Sequence, residues 1–265
     1  MKATVRMPAL FLPHGGGPAF FMSGGMHDMF RTMQAFLQDV ARTLPARPSA
    51  ILVVTAHWEA EVPSFTGSAH PELIYDYYGF PPETYALRYD APAHPALAQR
   101  AAGLLQAAGI AAMVEPARGW DHGVFIPLKV MFPAADIPVL AMSLQAGLDP
   151  LAHAAMGAAL RPLREEGVLI LGSGMSYHNL RNFSGGGAVA QAFDGWLDTA
   201  LAGDAQQRAQ RLAQWAAAPS GRAAHPREEH LLPLMVASGA GGDAPADKIW
   251  SGLVGDTRVS AWSFV

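Results

Sequence analysis

Apolar residues follow two spacings along the chain, and the two spacings alternate. Short runs rich in Val, Ile and Leu occur at residues 9–12, 51–55, 139–143 and 168–171. Uninterrupted apolar runs of this length are typical of strands that are buried on both faces of a sheet. Between the first two runs, residues 26–44 place apolar side chains three and four positions apart, which predicts a helix with one buried face. The first segment of the chain is therefore predicted to be a strand–helix–strand unit.

The alternation continues beyond this unit. Alanine-rich helical stretches are predicted at residues 95–108, 153–166 and 189–202, each next to a strand or a turn signal. No internal repeat and no linker interrupts the pattern, and the glycine-rich stretches at 185–187 and 239–242 are short enough to be turns. We predict an α/β fold in which residues 1–265 form one catalytic domain, with a mostly parallel central sheet flanked by helices on both faces.

Composition narrows the classes of function that fit this fold. The chain has 265 residues, is 51% hydrophobic and carries a net charge of −4, with its Lys and Arg residues scattered singly. No basic stripe is present to bind a phosphate backbone, so nucleic acid is not an expected partner. The absence of Cys excludes disulfides, thiolate zinc sites and a cysteine nucleophile. The N-terminal apolar run is only as long as a strand, and we expect a cytoplasmic protein with no membrane partner.

Three of the ten histidines follow predicted strands. His14 comes directly after the run at 9–12, and His57 comes directly after the run at 51–55. The run at 168–171 leads through a glycine-containing turn to His178. Because ligands bind at the carboxyl ends of strands in open α/β sheets, imidazoles at these positions are well placed to share one metal ion.

Two further histidines lie in motifs of their own. His122 precedes a predicted helix at 124–131, and Asp121 beside it either orients the imidazole or caps the helix. His230 follows Glu228 and Glu229 near the beginning of a predicted short helix, a motif that is weak by itself. The remaining histidines are predicted to lie on helix surfaces or in polar turns and to have no role in a site: His27, His70, His94, His153 and His225.

The glycines after His14 also allow a serine hydrolase to be considered. A His-Gly-Gly-Gly string forms the oxyanion hole of some lipases and esterases, but that fold requires a Gly-x-Ser-x-Gly nucleophile turn. The nearest match, residues 174–178, has His178 in place of the final glycine. The nucleophile turn is therefore incomplete, and most of the serine hydrolase interpretation fails with it. No dinucleotide-binding or Walker motif is present to support a nucleotide interpretation.

Eight ordered motifs distributed along nearly the whole chain resemble one known family. They are MPALFLPHG at 7–15, VVTAHW at 53–58, YGFPP at 78–82, YDAP at 89–92, GWDHG at 119–123, DIPV at 136–139, GMSYHNLR at 174–181 and EHLLPL at 229–234. Together they resemble the class III extradiol ring-cleavage dioxygenases, LigB-like, in the branch of the DOPA 4,5-dioxygenase-type proteins. The resemblance implies a non-haem, metal-dependent oxidoreductase that opens the ring of a small catechol, DOPA-like or another dihydroxybenzene, with dioxygen.

The resemblance also implies roles for individual residues. Iron(II) is the expected catalytic ion, and zinc(II) is a candidate in the isolated protein. The implied ligands are His14, His57 and His230. Glu229 is an alternative third ligand, because the wider family uses a glutamate at this place. A three-ligand face leaves room for a catechol and dioxygen. Around the metal, His178 is expected to accept a proton and is a candidate fourth metal contact, and His122 is expected to donate a hydrogen bond. Tyr78 is expected to contact the substrate, and Arg88 to bind a substrate carboxylate.

One departure from the family pattern lies directly after the first strand. The family commonly has His-Gly-Ser-Pro, whereas this chain has three glycines between His14 and Pro18. The support of His14 and the mouth of the pocket are therefore expected to differ from those of relatives. Two alternatives on the same fold stay open, namely a zinc-dependent hydrolase that uses the same histidines and a non-catalytic, MEMO-like binding protein. Loss of His122 and His178 would mark the second alternative, and both are present.

Overall fold

The computed structural model describes residues 5–183 and 185–265, which contain an eight-stranded sheet with helices on both faces. The strands are β1 Ala9–Pro13, β2 Ala50–Ala60, β3 Ser64–Thr66, β4 Met113–Glu115, β5 Val139–Gln145, β6 Val168–Gly174, β7 Ala246–Val254 and β8 Thr257–Phe264. The helices are α1 Gly25–Arg42, α2 Pro95–Ala107, α3 His122–Met131, α4 Pro150–Leu160, α5 Pro162–Glu165, α6 Gly187–Leu201, α7 Ala205–Leu212, α8 Gly221–Ala224 and α9 Leu232–Gly241.

The strand order is β4-β3-β5-β2-β6-β1-β8-β7, and its centre is parallel. Strands β5, β2, β6 and β1 pair in parallel, whereas β8 joins β1 antiparallel and forms an antiparallel hairpin with β7. The prediction of a single-domain α/β fold with a mostly parallel, helix-flanked sheet is confirmed. In the part of the chain that the structure describes, no helix is long and apolar enough to cross a bilayer.

Alternate residues of the central strands enter two different cores. In β2, Leu52 and Val54 pack with α2, α4, α6 and α9, whereas Ile51 and Val53 pack with α1 and α3 on the opposite face. Because successive side chains of a strand point to opposite faces, a strand covered on both faces must be apolar at every position. This is the physical reason for the uninterrupted apolar runs in the sequence.

The structure departs from the predicted elements in three places. Strand β2 continues through His57 to Ala60, and its pairing with β5 shifts register between Val54 and Glu59, so His57 lies in an irregular part of a strand and not after it. The predicted helix at 153–166 is two helices, since Pro162 lacks an N–H group and begins α5. The β7–β8 hairpin was not predicted from the sequence.

Two histidines were placed wrongly on the surface. His153 and His225 are fully buried. The His153 imidazole accepts a hydrogen bond from the Gln145 backbone N–H and donates one to the Asp149 backbone carbonyl, and His225 donates to the Ser176 backbone carbonyl. Both are therefore buried imidazoles that connect secondary-structure elements.

Candidate metal centre and substrate cavity

Three predicted histidines converge at the carboxyl edge of the sheet. His14 follows β1, His57 lies in the irregular part of β2, and His230 lies just before α9. One nitrogen from each imidazole lies within 4.8 Å of the others, and the two Nε2 atoms of His14 and His57 are 3.1 Å apart. Neutral imidazole nitrogens at this separation form a donor set suited to a divalent transition metal.

Hydrogen bonds on the outer side of this cluster determine which nitrogen faces inward. The Ser173 hydroxyl donates to the Gly123 carbonyl, so toward His14 it acts as an acceptor for Nδ1–H, at 3.2 Å. In the same way, Nδ1–H of His230 donates to the Glu229 carboxylate at 2.9 Å. Both imidazoles therefore carry their proton on the outer nitrogen, and an Nε2 lone pair faces the cluster.

Burial keeps the clustered imidazoles neutral. The pKa values of His14, His57 and His230 are all lowered, first by removal of the rings from water and then by neighbouring imidazoles. Two positively charged rings at such distances would repel each other in a medium of low polarity. The neutral form is also the form that ligates metals, so the residues present fit a bound ion.

His122 is oriented by Asp76, which sequence reasoning missed. One carboxylate oxygen of Asp76 accepts from the His122 backbone N–H at 3.0 Å and from its Nδ1–H at 2.7 Å. Burial acts to raise the pKa of Asp76, but the hydrogen bonds from His122 outweigh burial and lower it below its usual value. The Asp76 carboxylate therefore stays charged, and Nε2 of His122 faces away from it.

Asp121, which was considered for orienting His122 or capping its helix, does neither through its side chain. It occupies the N-cap position of α3 without a side-chain capping bond. Its carboxylate instead accepts from the Thr55 hydroxyl at 2.7 Å and from the Arg118 guanidinium at 3.2 Å. Asp121 therefore fastens the beginning of α3 to β2.

His178 lies against His230 and shares a carboxylate with it. The two rings stack with centroids 3.3 Å apart, and Nδ1 of His178 is 3.4 Å from the Glu229 oxygen that accepts from His230. Glu229 thus lies behind both rings and is not part of the cluster formed by His14, His57 and His230. This arrangement favours His230 over Glu229 as the third ligand.

All five of these histidines line one cavity of about 600 Å³. Tyr78 lines it as well, at the solvent-exposed mouth. The glycines after His14 form part of its wall, and a Cβ added at Gly15 or Gly16 would lie 2.7 Å from the Phe20 ring or 2.9 Å from the Phe30 ring. The glycine turn therefore allows the backbone to pack directly on aromatic rings.

Arg88 does not line this cavity, contrary to the prediction that it binds a substrate carboxylate. It lines a separate surface depression formed by residues 69–73, Tyr75 and residues 88–93, and its backbone carbonyl accepts from the Lys129 ammonium group. Of the same loop, Asp76 binds His122, and the aromatic residues Tyr77, Tyr78 and Phe80 line the cavity.

Ser176 is the serine of the segment that most resembles a hydrolase nucleophile turn, and it has a structural contact. It is buried, and its hydroxyl accepts a hydrogen bond from the Ser260 backbone N–H at 2.9 Å. It does not line the cavity. This geometry agrees with rejection of the serine hydrolase interpretation.

The chain that forms this fold and this cluster of imidazoles matches one family of oxidoreductases. The family described as the catalytic LigB subunit of aromatic ring-opening dioxygenase matches residues 8–265, and the chain belongs to this family.

Individual relatives agree with this assignment. The 4,5-DOPA dioxygenase extradiol of Portulaca grandiflora is 39% identical over 240 residues, covering 89% of this chain and 86% of that protein. The protein of the same name from Escherichia coli K12 is 35% identical over 245 residues, covering 91% and 87%. The crystal structure of an uncharacterized protein from Escherichia coli K12 superposes with a TM-score of 0.79 at 31% identity, covering 98% of this chain and all of that one.

Proposed function

We propose that this protein is a metal-dependent extradiol dioxygenase that opens the aromatic ring of a catechol with dioxygen and uses iron(II). The observation that carries the proposal is the convergence of His14, His57 and His230, whose nearest ring nitrogens all lie within 4.8 Å of one another. Family membership and the names of the relatives support it.

In this proposal the three imidazoles hold the ion and leave one side of it open to the cavity. Three protein ligands leave about three coordination positions free, which suffices for two catechol oxygens and dioxygen. A bound iron(II) would acidify the catechol hydroxyls and transfer electrons toward dioxygen. The remaining chemistry is assigned to this chain's own side chains.

His178 is the proposed proton acceptor for a catechol hydroxyl. It lines the cavity beside His230, and Glu229 lies 3.4 Å from its Nδ1. The Glu229 carboxylate would balance the positive charge that the ring gains with the proton. Imidazole suits this task because its ordinary pKa is near neutral pH.

His122 is the proposed hydrogen-bond donor to the oxygen on which negative charge develops. Its Nδ1–H is held by Asp76, so a proton on Nε2 would point into the cavity. Asp76 then supplies the balancing negative charge at 2.7 Å from the ring. A donor that is already oriented lowers the barrier because it needs no rearrangement during the reaction.

The activity is tested with protein loaded with iron(II) under anaerobic conditions. Adding a panel of simple catechols and then oxygen is expected to give oxygen consumption and a yellow ring-opened product. The zinc-loaded protein is expected to be inactive in the same assay. Failure of every catechol, or ester hydrolysis by the zinc-loaded protein, would favour the zinc hydrolase instead.

The site assignments are tested by single substitutions. Changing His14, His57 or His230 to Ala is expected to abolish stoichiometric metal binding, measured by metal analysis after gel filtration. His122→Ala and His178→Ala are expected to retain the metal and lose about 100-fold or more in kcat. His70→Ala, at an exposed position, is the control and should change neither property. Stoichiometric iron in His57→Ala would contradict the ligand assignment.

A further inference from the structure

The cavity wall beyond the histidines is apolar. The residues that carry this argument are Met29, Phe30, Phe80, Met175, Leu180 and Phe183. Among the described residues that line the cavity there is no Lys, Arg, Asp or Glu. A volume of about 600 Å³ is in the usual range for clefts that hold whole small molecules, about 300–1,000 Å³, so a substituent on the catechol ring would also be enclosed.

Exposed apolar side chains gather at the mouth of the same cavity. Tyr78 is 91% exposed, Leu180 is 72% exposed, and Met26 and Met29 are each more than a third exposed. All four line this cavity. Since large apolar side chains are usually removed from water, such a group around a pocket indicates a surface that a ligand covers.

The charged side chains that contact the histidine-bearing segments are engaged elsewhere or are negative. Arg118 binds the His57 carbonyl and Asp121, and Arg227 forms a bidentate pair with Glu59. Asp76 and Glu229 hydrogen-bond the histidines from behind. An anionic group on a bound substrate would therefore lose water without gaining a cation, which is unfavourable.

We propose that the substrate of this site is a catechol with an uncharged, apolar substituent, in place of one with an amino acid or carboxylic acid side chain. This inference rests on the proposed function, because the histidines are taken to bind the catechol oxygens. The substituent then lies along Met29, Phe30, Leu180 and Phe183, where apolar contact stabilises it. The 4,5-DOPA dioxygenases among the relatives are named for an amino acid substrate, so the two substrate classes can be compared directly.

The test uses three catechols with the same three-carbon side chain and different charge. They are 4-propylcatechol, 3-(3,4-dihydroxyphenyl)propionate and DOPA. Binding to the zinc-loaded protein is measured anaerobically by calorimetry, and kcat/KM is measured with the iron-loaded protein. We expect 4-propylcatechol to exceed both charged compounds by about 10-fold or more in affinity and in kcat/KM. Equal or tighter binding of the propionate or of DOPA would overturn the proposal.

Variants at the mouth test the same inference from the protein side. Leu180→Arg introduces a cation at a cavity-lining position and is expected to shift the kcat/KM ratio toward the propionate by about 10-fold. Leu151→Arg, at an exposed position on α4 that does not line the cavity, is the matched control and should leave the ratio unchanged.

Arg181 is the arginine next to Leu180 in the chain, and it is exposed. We expect Arg181→Ala to leave the preference among the three catechols unchanged. A selective loss of DOPA and propionate binding in this variant would identify Arg181 as a carboxylate partner and would overturn the proposal.

The outcomes separate the substrate class from the reaction. Turnover of all three catechols with equal kcat/KM would contradict the substrate class and leave the dioxygenase function standing. A preserved binding preference for 4-propylcatechol with no oxygen consumption for any compound would contradict the dioxygenase function and uphold the apolar ligand class.

Discussion

The residue-level feature that most defines the site is the set of hydrogen bonds behind its imidazoles. Three glycines follow His14 and offer it no side-chain partner, and its Nδ1–H is held by Ser173 from the neighbouring strand β6. The hydrogen-bond acceptor for His14 is therefore supplied by a different element from the turn that follows it. A metal-ligating histidine is generally oriented by such an acceptor, which fixes both its tautomer and its direction.

Asp76 is predicted to position His122 and to leave the ion in place. In Asp76→Asn the group 2.7 Å from Nδ1 of His122 loses its negative charge. The His122 ring is then held less firmly, and the positive charge that it gains with a proton on Nε2 is no longer balanced. We expect kcat to fall about 10- to 100-fold with little change in KM. We also expect the pH–rate profile to change shape, which a purely structural effect would not cause.

The control for this variant is Asp90→Asn, at an exposed carboxylate further along the same loop. Metal content should equal that of the wild type in both variants. Loss of the metal in Asp76→Asn would place Asp76 among the ligands, and an unchanged kcat would remove it from the site.

Prediction from the sequence was strongest for side chains that follow regular strands. His14 and His178 could be found because each follows a continuous apolar run, and such a run predicts both a buried strand and the residue at which it ends. Asp76 could not be found in this way, since it lies 46 residues from His122 in a loop without periodicity. Arg88 was misplaced for the same reason, because nothing in the local sequence shows which side of an irregular loop faces the cavity.

At the level of elements, the irregularity of β2 is what brings His57 into the site. Pairing with β5 is lost after Val54 and resumes at Glu59, and such irregularities re-aim side chains beside active sites. The Thr55 hydroxyl, which accepts from the His57 backbone N–H and donates to Asp121, holds this stretch against the start of α3. The apolar pattern of residues 51–55 predicts only the regular half of the strand.

Gly123, in the first turn of α3, is predicted to be required for this contact. A Cβ at this position would lie 2.6 Å from the Thr55 hydroxyl and 2.9 Å from Cδ2 of His57. In Gly123→Ala the ring of His57 must therefore move, and we expect weaker metal binding and a loss of about 1–3 kcal/mol in the free energy of unfolding. Metal titration and urea denaturation measure the two effects.

Gly103→Ala in α2 is the matched control, because a Cβ there meets nothing within 4 Å. It should leave metal binding unchanged and raise stability by about 0.5–1 kcal/mol, since alanine favours a helix more than glycine does. Normal metal affinity in Gly123→Ala would show that the contact between α3 and β2 does not hold His57.

The β7–β8 hairpin shows what an apolar pattern fails to detect. Strand β7 is an edge strand in which all residues but Val254 are exposed or only partly buried, so it lacks the continuous apolar run that revealed the central strands. Edge strands are covered on fewer sides and have a weaker sequence signal. The hairpin still contributes to the core, because β8 pairs with β1 and is buried along most of its length.

At the scale of the whole molecule, buried polar side chains connect segments that are distant in sequence. The guanidinium of Arg164 is fully buried and donates to the carbonyls of Met7, Ala240 and Phe264. These carbonyls belong to the segment before β1, to α9 and to the end of β8. Because a buried cation must be fully hydrogen-bonded, the three segments are expected to unfold together.

Two buried histidines outside the cavity are predicted to make the whole fold sensitive to acid. Burial lowers the pKa of His153 and lowers that of His225 to about 4, from an ordinary value of 6.5. Below pH 6.5 the unfolded chain therefore binds protons that the folded protein excludes, so the free energy of unfolding falls as the pH decreases toward 4. For His225 the loss is on the order of 3 kcal/mol.

The geometry explains why neither ring can take up a proton without cost. Protonation of His153 at Nε2 would place a second donor opposite the Gln145 backbone N–H, which now donates to this nitrogen, and Nδ1 of His225 is buried without a partner. The double variant His153→Gln/His225→Gln is expected to be less stable at pH 7 but to lose less stability between pH 7 and pH 4.5. Urea denaturation of the metal-free protein measures the stability at pH 7 and its loss on acidification. Without metal, the cavity histidines contribute equally in the double variant and in the wild type.

The control is His70→Gln, at an exposed histidine, which should keep the wild-type pH dependence. Parallel curves for the double variant and the wild type would show that the acid sensitivity arises elsewhere, with the histidine cluster as the next group to test.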